Sequence, residues 1–248
     1  MKKIGIVGGI GWPSTIEYYK LICESSLAYH KEINHPEPLP TPEIAIESLN
    51  MSHSISHRGS AEPGSWKEWD AYFNTALKRL EYSGCELILI SSVTPHARLE
   101  HISQGVTSKI LSVYESVAAE CNKRAVSKLL VLGTLPTMTN PSFMEAMETH
   151  GISAIYPSND SIKTRVANVI SYLYKNERLQ EAKAEIESIV MACLGSAPLD
   201  NFAVCLACTE LPLAFNSDVP TAYFRVNGIA YINATVAHAR YAFESCVT

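Results

Sequence analysis

No run of apolar residues in this sequence approaches the ~18–20 that a membrane-spanning helix needs. The opening Met1-Lys2-Lys3-Ile4-Gly5-Ile6-Val7 breaks at Gly8-Gly9 and reads as a first strand rather than a signal peptide. Charge is sparse, at 18% of residues, and the balance is slightly acidic, with a net charge of -5. Nucleic acid wants a basic face, so neither nucleic acid nor membrane is expected as a partner. Paired cysteines are lacking too. The seven cysteines are odd in number and lie mostly in apolar runs, which suits a reducing cytosol better than a disulfide framework. The expected location is the cytoplasm.

Cofactor signatures are incomplete. Gly5-Ile6-Val7-Gly8-Gly9-Ile10-Gly11 follows a strand, but the dinucleotide register fails: Ser14 takes the place of the last glycine, and Glu47 lies inside the next strand rather than at its end. Cys205-Leu206-Ala207-Cys208 is a single Cys-x-x-Cys, with Cys205 inside an apolar strand. His53 and His57 have helical ligand spacing, but the flanking Ser and Gly residues suggest a loop, and no third ligand accompanies them. No metal, nucleotide or other cofactor is expected.

What the sequence does hold is alternation. Its 248 residues, 47% hydrophobic, suit one large or two small domains able to bury a core. Strands are predicted at 3–7, 43–49, 87–90, 109–113, 128–134, 152–156, 202–206 and 222–225. Helices are predicted from Ser14 to Leu27, from Ser65 to about Gly84, and from Asn140-Pro141 to Gly151, the first two opened by Ser-x-x-Glu capping boxes. The proline-rich stretch from His35 to Pro42 is a loop. Strands separated by helices imply βαβ units and parallel sheets. Lys128-Leu129-Leu130-Val131-Leu132-Gly133-Thr134 echoes Lys3-Ile4-Gly5-Ile6-Val7-Gly8-Gly9. The expectation is an α/β protein of two pseudo-symmetric domains, residues 1–105 plus 217–248 and residues 106–216. Each would be a parallel sheet flanked by helices, with the active site in the cleft between them.

Two segments occupy the place where such sheets put their chemistry, the carboxyl end of a strand. Ser92-Val93-Thr94-Pro95-His96 follows Leu87–Ile90, and Leu206-Ala207-Cys208-Thr209-Glu210 ends the run Phe202–Leu206. Hydroxyls and N–H groups at such ends can hold a carboxylate, which makes Thr94 and Thr209 candidates. A thiol suits proton abstraction from carbon, because its thiolate is accessible near neutrality when a helix N-terminus or a cation assists. A serine needs a neighbouring base, and His96 is the nearest in sequence.

The stretch from Gly8 to Tyr19, with Trp12, Ser14, Thr15, Tyr18 and Tyr19, resembles the first loop and helix of the aspartate/glutamate racemase family. Ala207-Cys208-Thr209-Glu210-Leu211-Pro212 resembles that family's second catalytic motif. Ser92-Val93-Thr94-Pro95-His96 stands where the first, Cys-Asn-Thr-x-His, is expected. The resemblance implies a cofactor-independent enzyme in which two groups on opposite faces of Cα remove and return the proton of a small amino acid. It assigns Cys208 as the base on one face and Ser92 as the opposing donor or relay. Gly9, Ile10, Thr15, Val93, Thr94 and Thr209 would hold the substrate. Arg58 and Arg165, or Lys163 beside the latter, would meet its carboxylates; the alternative for each is a solvated surface charge. Tyr18 and Tyr19 read as packing. The family's Asp-Thr/Ser before the last helix is matched loosely by Asn227-Gly228, and its histidine has no clear match. The expected assembly is a homodimer. The replacements at Ser92 and Val93 keep two other readings open: a decarboxylase or isomerase on the same scaffold, or a non-catalytic small-molecule binder.

Overall fold

The structure, a computed structural model, describes residues 1–60, 62–195, 200–215 and 221–248. It divides into two compact units, Met1–Ser112 with His238–Thr248, and Val113–Ala237.

The first unit runs β1 (Ile4–Gly8), α1 (Trp12–Glu32), β2 (Ile44–Ser48), α2 (Met51–Ser56), α3 (Lys67–Tyr82), β3 (Leu87–Ile90), a 3-10 turn (Thr94–Arg98), α4 (Leu99–Ile102) and β4 (Lys109–Ile110). Its sheet has the order β2-β1-β3-β4, and every pairing is parallel. β1 and β3 are buried along their whole length, as continuous apolar runs covered on both faces must be. α3 presents Trp69, Phe73, Ala76, Leu77 and Leu80, one helical stripe, to a core that includes Val7, Leu49, Ile88 and Ile90.

The second unit runs α5 (Val113–Lys123), β5 (Lys128–Gly133), α6 (Leu135–Thr139), α7 (Ser142–Glu148), β6 (Ser153–Ile155), α8 (Asp160–Tyr174), α9 (Leu179–Leu194), β7 (Phe202–Ala207), a 3-10 turn (Leu211–Phe215), β8 (Tyr223–Val226) and β9 (Ile229–Asn233). α10 (Ala234–Val247) begins here and passes into the first unit at His238. The sheet order is β6-β5-β7-β9-β8. It is parallel except for the β8–β9 hairpin. Val166, Val169 and Leu173 of α8 and Ile186, Ile189 and Val190 of α9 pack with Leu130, Leu132, Val204 and Leu206 of the sheet.

Two α/β units with parallel-dominated sheets match the expected class, with differences in detail. Residues 221–237 belong to the second unit, not the first, because β9 pairs with β7 and carries β8 with it. The expected boundary at 216/217 lies outside the described residues. Neither capping box forms. α1 begins at Trp12 after Gly11, and α3 begins after Trp66, both without a side-chain cap. Ser65 Oγ instead bonds the carbonyls of Ser60 and Glu62. Asn227-Gly228 is no helix entry. Both residues have positive φ (49° and 79°) and make the two-residue turn of the β8–β9 hairpin, the geometry an Asn-Gly pair favours. The residue before the last helix is Asn233, whose Oδ1 accepts from the N–H groups of Thr235 and Val236, and the histidine of that helix is His238.

Candidate active site

Strand order alone singles out two places. In the first sheet the chain leaves β1 for β2 on one side while β3 and β4 lie on the other; in the second, β5 is followed outward by β6 while β7 lies opposite. Loops diverge at such switch points, and ligands bind outside the carboxyl ends of the flanking strands. Gly9 and Ser92 follow β1 and β3. Gly133 ends β5 with Thr134 after it, and Cys208 follows β7.

In the first unit the turn after β1 is built around glycine. Gly9 has φ +77°, and a Cβ there would lie 2.0 Å from the Leu49 carbonyl oxygen, so no other residue fits without moving β2's exit. Gly9 N–H donates to Thr15 Oγ1 at 2.8 Å, and Thr15 Oγ1 lies 3.4 Å from Ser91 Oγ. Thr15 is buried and its hydroxyl is engaged in holding this turn; Ile10 packs against the first core. Both help to shape this turn.

Ser92 is half-buried. Its hydroxyl has no hydrogen-bond partner among the described residues. His96 does not serve it as a base. The 3-10 turn folds the imidazole back so that Nδ1–H donates to the carbonyl oxygens of Ser92, at 3.0 Å, and Val93, at 3.3 Å. Burial lowers the His96 pKa to about 4, so the ring is neutral at pH 7. Its neighbour His238, 5.5 Å away edge to face, donates from Nε2 to the Leu111 carbonyl and accepts from Tyr18 at Nδ1. Burial, with His96 beside it, lowers the His238 pKa to about 3. Tyr18 is thus packing with a polar task, while Tyr19 is exposed. The Val93 side chain is buried, leaving only its backbone to serve a ligand. Thr94 opens the 3-10 turn, half-buried.

Arg58 follows α2. No side-chain partner for it exists among the described residues; its Nε is buried without an acceptor, and burial lowers its pKa. A desolvated, unpaired guanidinium is costly and calls for an anion. His53 and His57, read as loop residues, sit on α2 and at its C-cap with rings stacked at 4.0 Å.

In the second unit Cys208 is half-buried, and its thiol donates to Glu210 Oε2 at 2.9 Å. The Thr209 hydroxyl donates to the same oxygen, also at 2.9 Å. The thiol pKa stands well above its ordinary value. Burial is the main cause, followed by the charge and hydrogen bond of Glu210, opposed by the N–H groups of Glu210 and Thr209. The expected lowering is therefore reversed: this is a proton-bearing thiol beside a carboxylate. Glu210 is part of the motif without a role that the sequence alone points to; its spacing two residues after the cysteine at a strand end is the signal for one. Across the switch point, a Cβ on Gly133 would lie 3.0 Å from the Ala207 carbonyl and 3.1 Å from Thr137 Cγ2. In the first unit the equivalent atom on Gly8 would lie 2.4 Å from Thr15 Cγ2. A glycine packed by a threonine ends the first strand of each sheet.

Arg165 is engaged within its own unit. It bonds Glu185 at 2.7 Å and Ser188 at 2.9 Å on α9, tying α8 to α9. Lys163 is the less engaged cation. Its side chain is 17% exposed and its only ion pair among the described residues is with Asp160, 95% exposed, at 3.2 Å.

Among the described residues no group of three His, Cys, Asp or Glu side chains is placed to hold a metal ion, and no helix is long and apolar enough to cross a membrane.

Comparison with known proteins agrees with this architecture. An aspartate racemase homologue from Pyrococcus horikoshii OT3 is 29% identical, with a TM-score of 0.76 and both chains covered at 100%. An Asp/Glu racemase homologue from Yersinia pestis, 22% identical with both chains covered at 100%, has a TM-score of 0.80. An aspartate racemase from Picrophilus torridus, 19% identical, has a TM-score of 0.70 over 100% of this chain and 95% of its own. The Asp/Glu/Hydantoin racemase family model matches residues 7–242. With two switch points occupied by Gly9 and Ser92 and by Gly133 and Cys208, and with that match over nearly its whole length, the chain belongs to the Asp/Glu/hydantoin racemase family.

Proposed function

We propose that this protein is a cofactor-independent racemase-like enzyme that moves the Cα proton of a small acidic amino acid, aspartate or glutamate. Cys208 is the thiol of one face and Ser92 the donor or relay of the other. The observation that carries this reading is the Cys208–Glu210 pair at the carboxyl end of β7. The resting thiol is protonated and so is ready to deliver a proton to a carbanion. To act in the other direction it must first pass its proton to the Glu210 carboxylate, leaving thiolate and carboxylic acid; the thiolate then takes the Cα proton. Backbone N–H groups of Thr209 and Glu210, which favour the thiolate, assist that step. Arg58 and Lys163 take the substrate's carboxylates, supported by the absence of a partner for the first and by the burial of the second.

Cα exchange in heavy water tests this. L- and D-aspartate and L- and D-glutamate are each incubated with the protein, and deuterium is read by NMR. Exchange at Cα, abolished by Cys208→Ala, is the expected result; no exchange from any of the four refutes it. The protonated thiol also favours a second reading, one-sided protonation of a carbanion by a lyase on this scaffold. That enzyme would release carbon dioxide from a dicarboxylate and leave aspartate unexchanged.

A further inference from the structure

Arg58 sits on the connection between α2 and α3, where a long side chain on a loop would be imprecise unless something fixed the backbone. Trp66 supplies that. Its indole packs directly on Gly59, so closely that a Cβ there would lie 2.4 Å from Trp66 Cγ. Its Nε1–H donates to the Ser60 carbonyl at 2.9 Å, and Ser60 N–H donates to Ser65 Oγ at 3.0 Å. The two residues after Arg58 are thereby pinned to the foot of α3. Trp66 is itself held. The Arg98 guanidinium lies 4.7 Å from its ring centroid, and Asp70 of α3 binds that guanidinium at both Nε and Nη2, the first at 2.6 Å. Arg98 closes the 3-10 turn that follows Ser92 and Val93.

We infer that Trp66 and Arg98 form a clamp that positions Arg58, with the turn after Ser92, for a ligand bearing a second carboxylate. The clamp thereby sets a preference for dicarboxylates over monocarboxylates. This rests on the proposed function for the identity of the substrate, but not for the anion preference. The physical logic is that of preorganisation. A guanidinium stripped of water gains from a carboxylate only if it need not reorganise to meet it, and a planar indole against a glycine leaves the loop little freedom. Trp66, Asp70 and Arg98 border an open groove of about 720 Å³, while Trp66 also packs edge-on against Trp69 at the margin of the core, so the Tm of each variant is followed beside its binding.

The test uses the full chain and two readouts. KM and kcat for Cα exchange are measured with aspartate, and the Kd of succinate, an inert dicarboxylate, is measured by calorimetry with acetate for comparison. Trp66→Leu and Arg98→Met are expected to raise KM and the succinate Kd tenfold or more with kcat within threefold, while Arg98→Lys recovers part of the loss. Arg79→Met, on the same helix but paired with Glu47, should change neither. Arg58→Ala combined with Trp66→Leu should be no worse than Arg58→Ala alone, because the clamp acts through Arg58. A lowered Tm with unchanged KM and Kd overturns the inference, as do additive effects in the double variant or a wild-type protein that binds succinate no better than acetate. If succinate binds and Trp66→Leu weakens it while no amino acid exchanges, the clamp stands and the racemase reading falls.

Discussion

The Cys208 thiol donates to Glu210 Oε2 at 2.9 Å, and the carboxylate two residues on thus holds the thiol proton in place. Burial and that negative charge both raise the thiol pKa. The pair decides in which direction the thiol works at rest and what must change for it to work in the other.

Removing the charge should separate the two roles of Glu210. Glu210→Gln lowers the Cys208 pKa, since the thiolate no longer faces an anion, so alkylation of Cys208 by iodoacetamide at pH 7 should speed up several-fold. Cα exchange should fall by 10²-fold or so, the scale of a lost general base. Unchanged alkylation kinetics would show that the carboxylate does not control the thiol. Cys208→Ser should abolish exchange, whereas substitutions at Cys23 or Cys246 should leave it.

Ser92 and Cys208 should act unequally. A serine hydroxyl is far more basic as its anion than a thiolate, so the enantiomer whose Cα proton faces Cys208 should exchange faster than its mirror image. Ser92→Cys should narrow that gap, and adding Val93→Asn should narrow it further by supplying an amide for the substrate. Equal rates for both enantiomers in the unmodified protein would show that Ser92 already has a base, and with the His96 Nδ1–H turned to the carbonyls of Ser92 and Val93 that base must come from elsewhere.

Acid should weaken the first unit through its buried histidines. The folded-state pKa values of His96 and His238 are about 4 and about 3, against about 6.5 in an unfolded chain. Above pH 6.5 both states are neutral and the full stability is present. As pH falls toward 4 the unfolded chain takes up protons that the folded one refuses, and stability is lost. At 1.36 kcal/mol per pKa unit, His96 alone accounts for roughly 3 kcal/mol. The urea midpoint should drop steeply between pH 6.5 and 4.5. His96→Gln, which keeps an N–H donor but does not titrate, should flatten the curve; an unchanged slope would mean that the ring does not refuse the proton.

Arg165 and Lys163, two residues apart, should answer differently. Arg165→Gln breaks a partly exposed pair with Glu185 and should cost up to about 1 kcal/mol of stability with KM intact. Lys163→Met should raise KM for a dicarboxylate at least tenfold with little loss of stability. The reverse pattern would return the role to Arg165.

Periodicity in the chain already determined the α/β class, the positions of β1, β3, β5 and β7, and the placing of Ser92 and Cys208 at strand ends. Buried parallel strands must be apolar throughout, and a strand followed directly by polar residues and a turn is a local signal. The Asn227-Gly228 hairpin is an equally local signal, an Asn-Gly pair between two apolar stretches. Charge and partner were decided only by the tertiary structure. Whether Arg165 is free depends on Glu185, which lies twenty residues away, and sequence spacing says nothing about that. Whether Cys208 is a thiolate depends on burial and on which rotamer Glu210 adopts, and whether His96 serves Ser92's hydroxyl or its carbonyl depends on the sense in which one 3-10 turn winds. Patterning sets where a backbone goes because each residue votes on its own exposure; a pKa or a hydrogen bond is settled by atoms that the fold alone brings together.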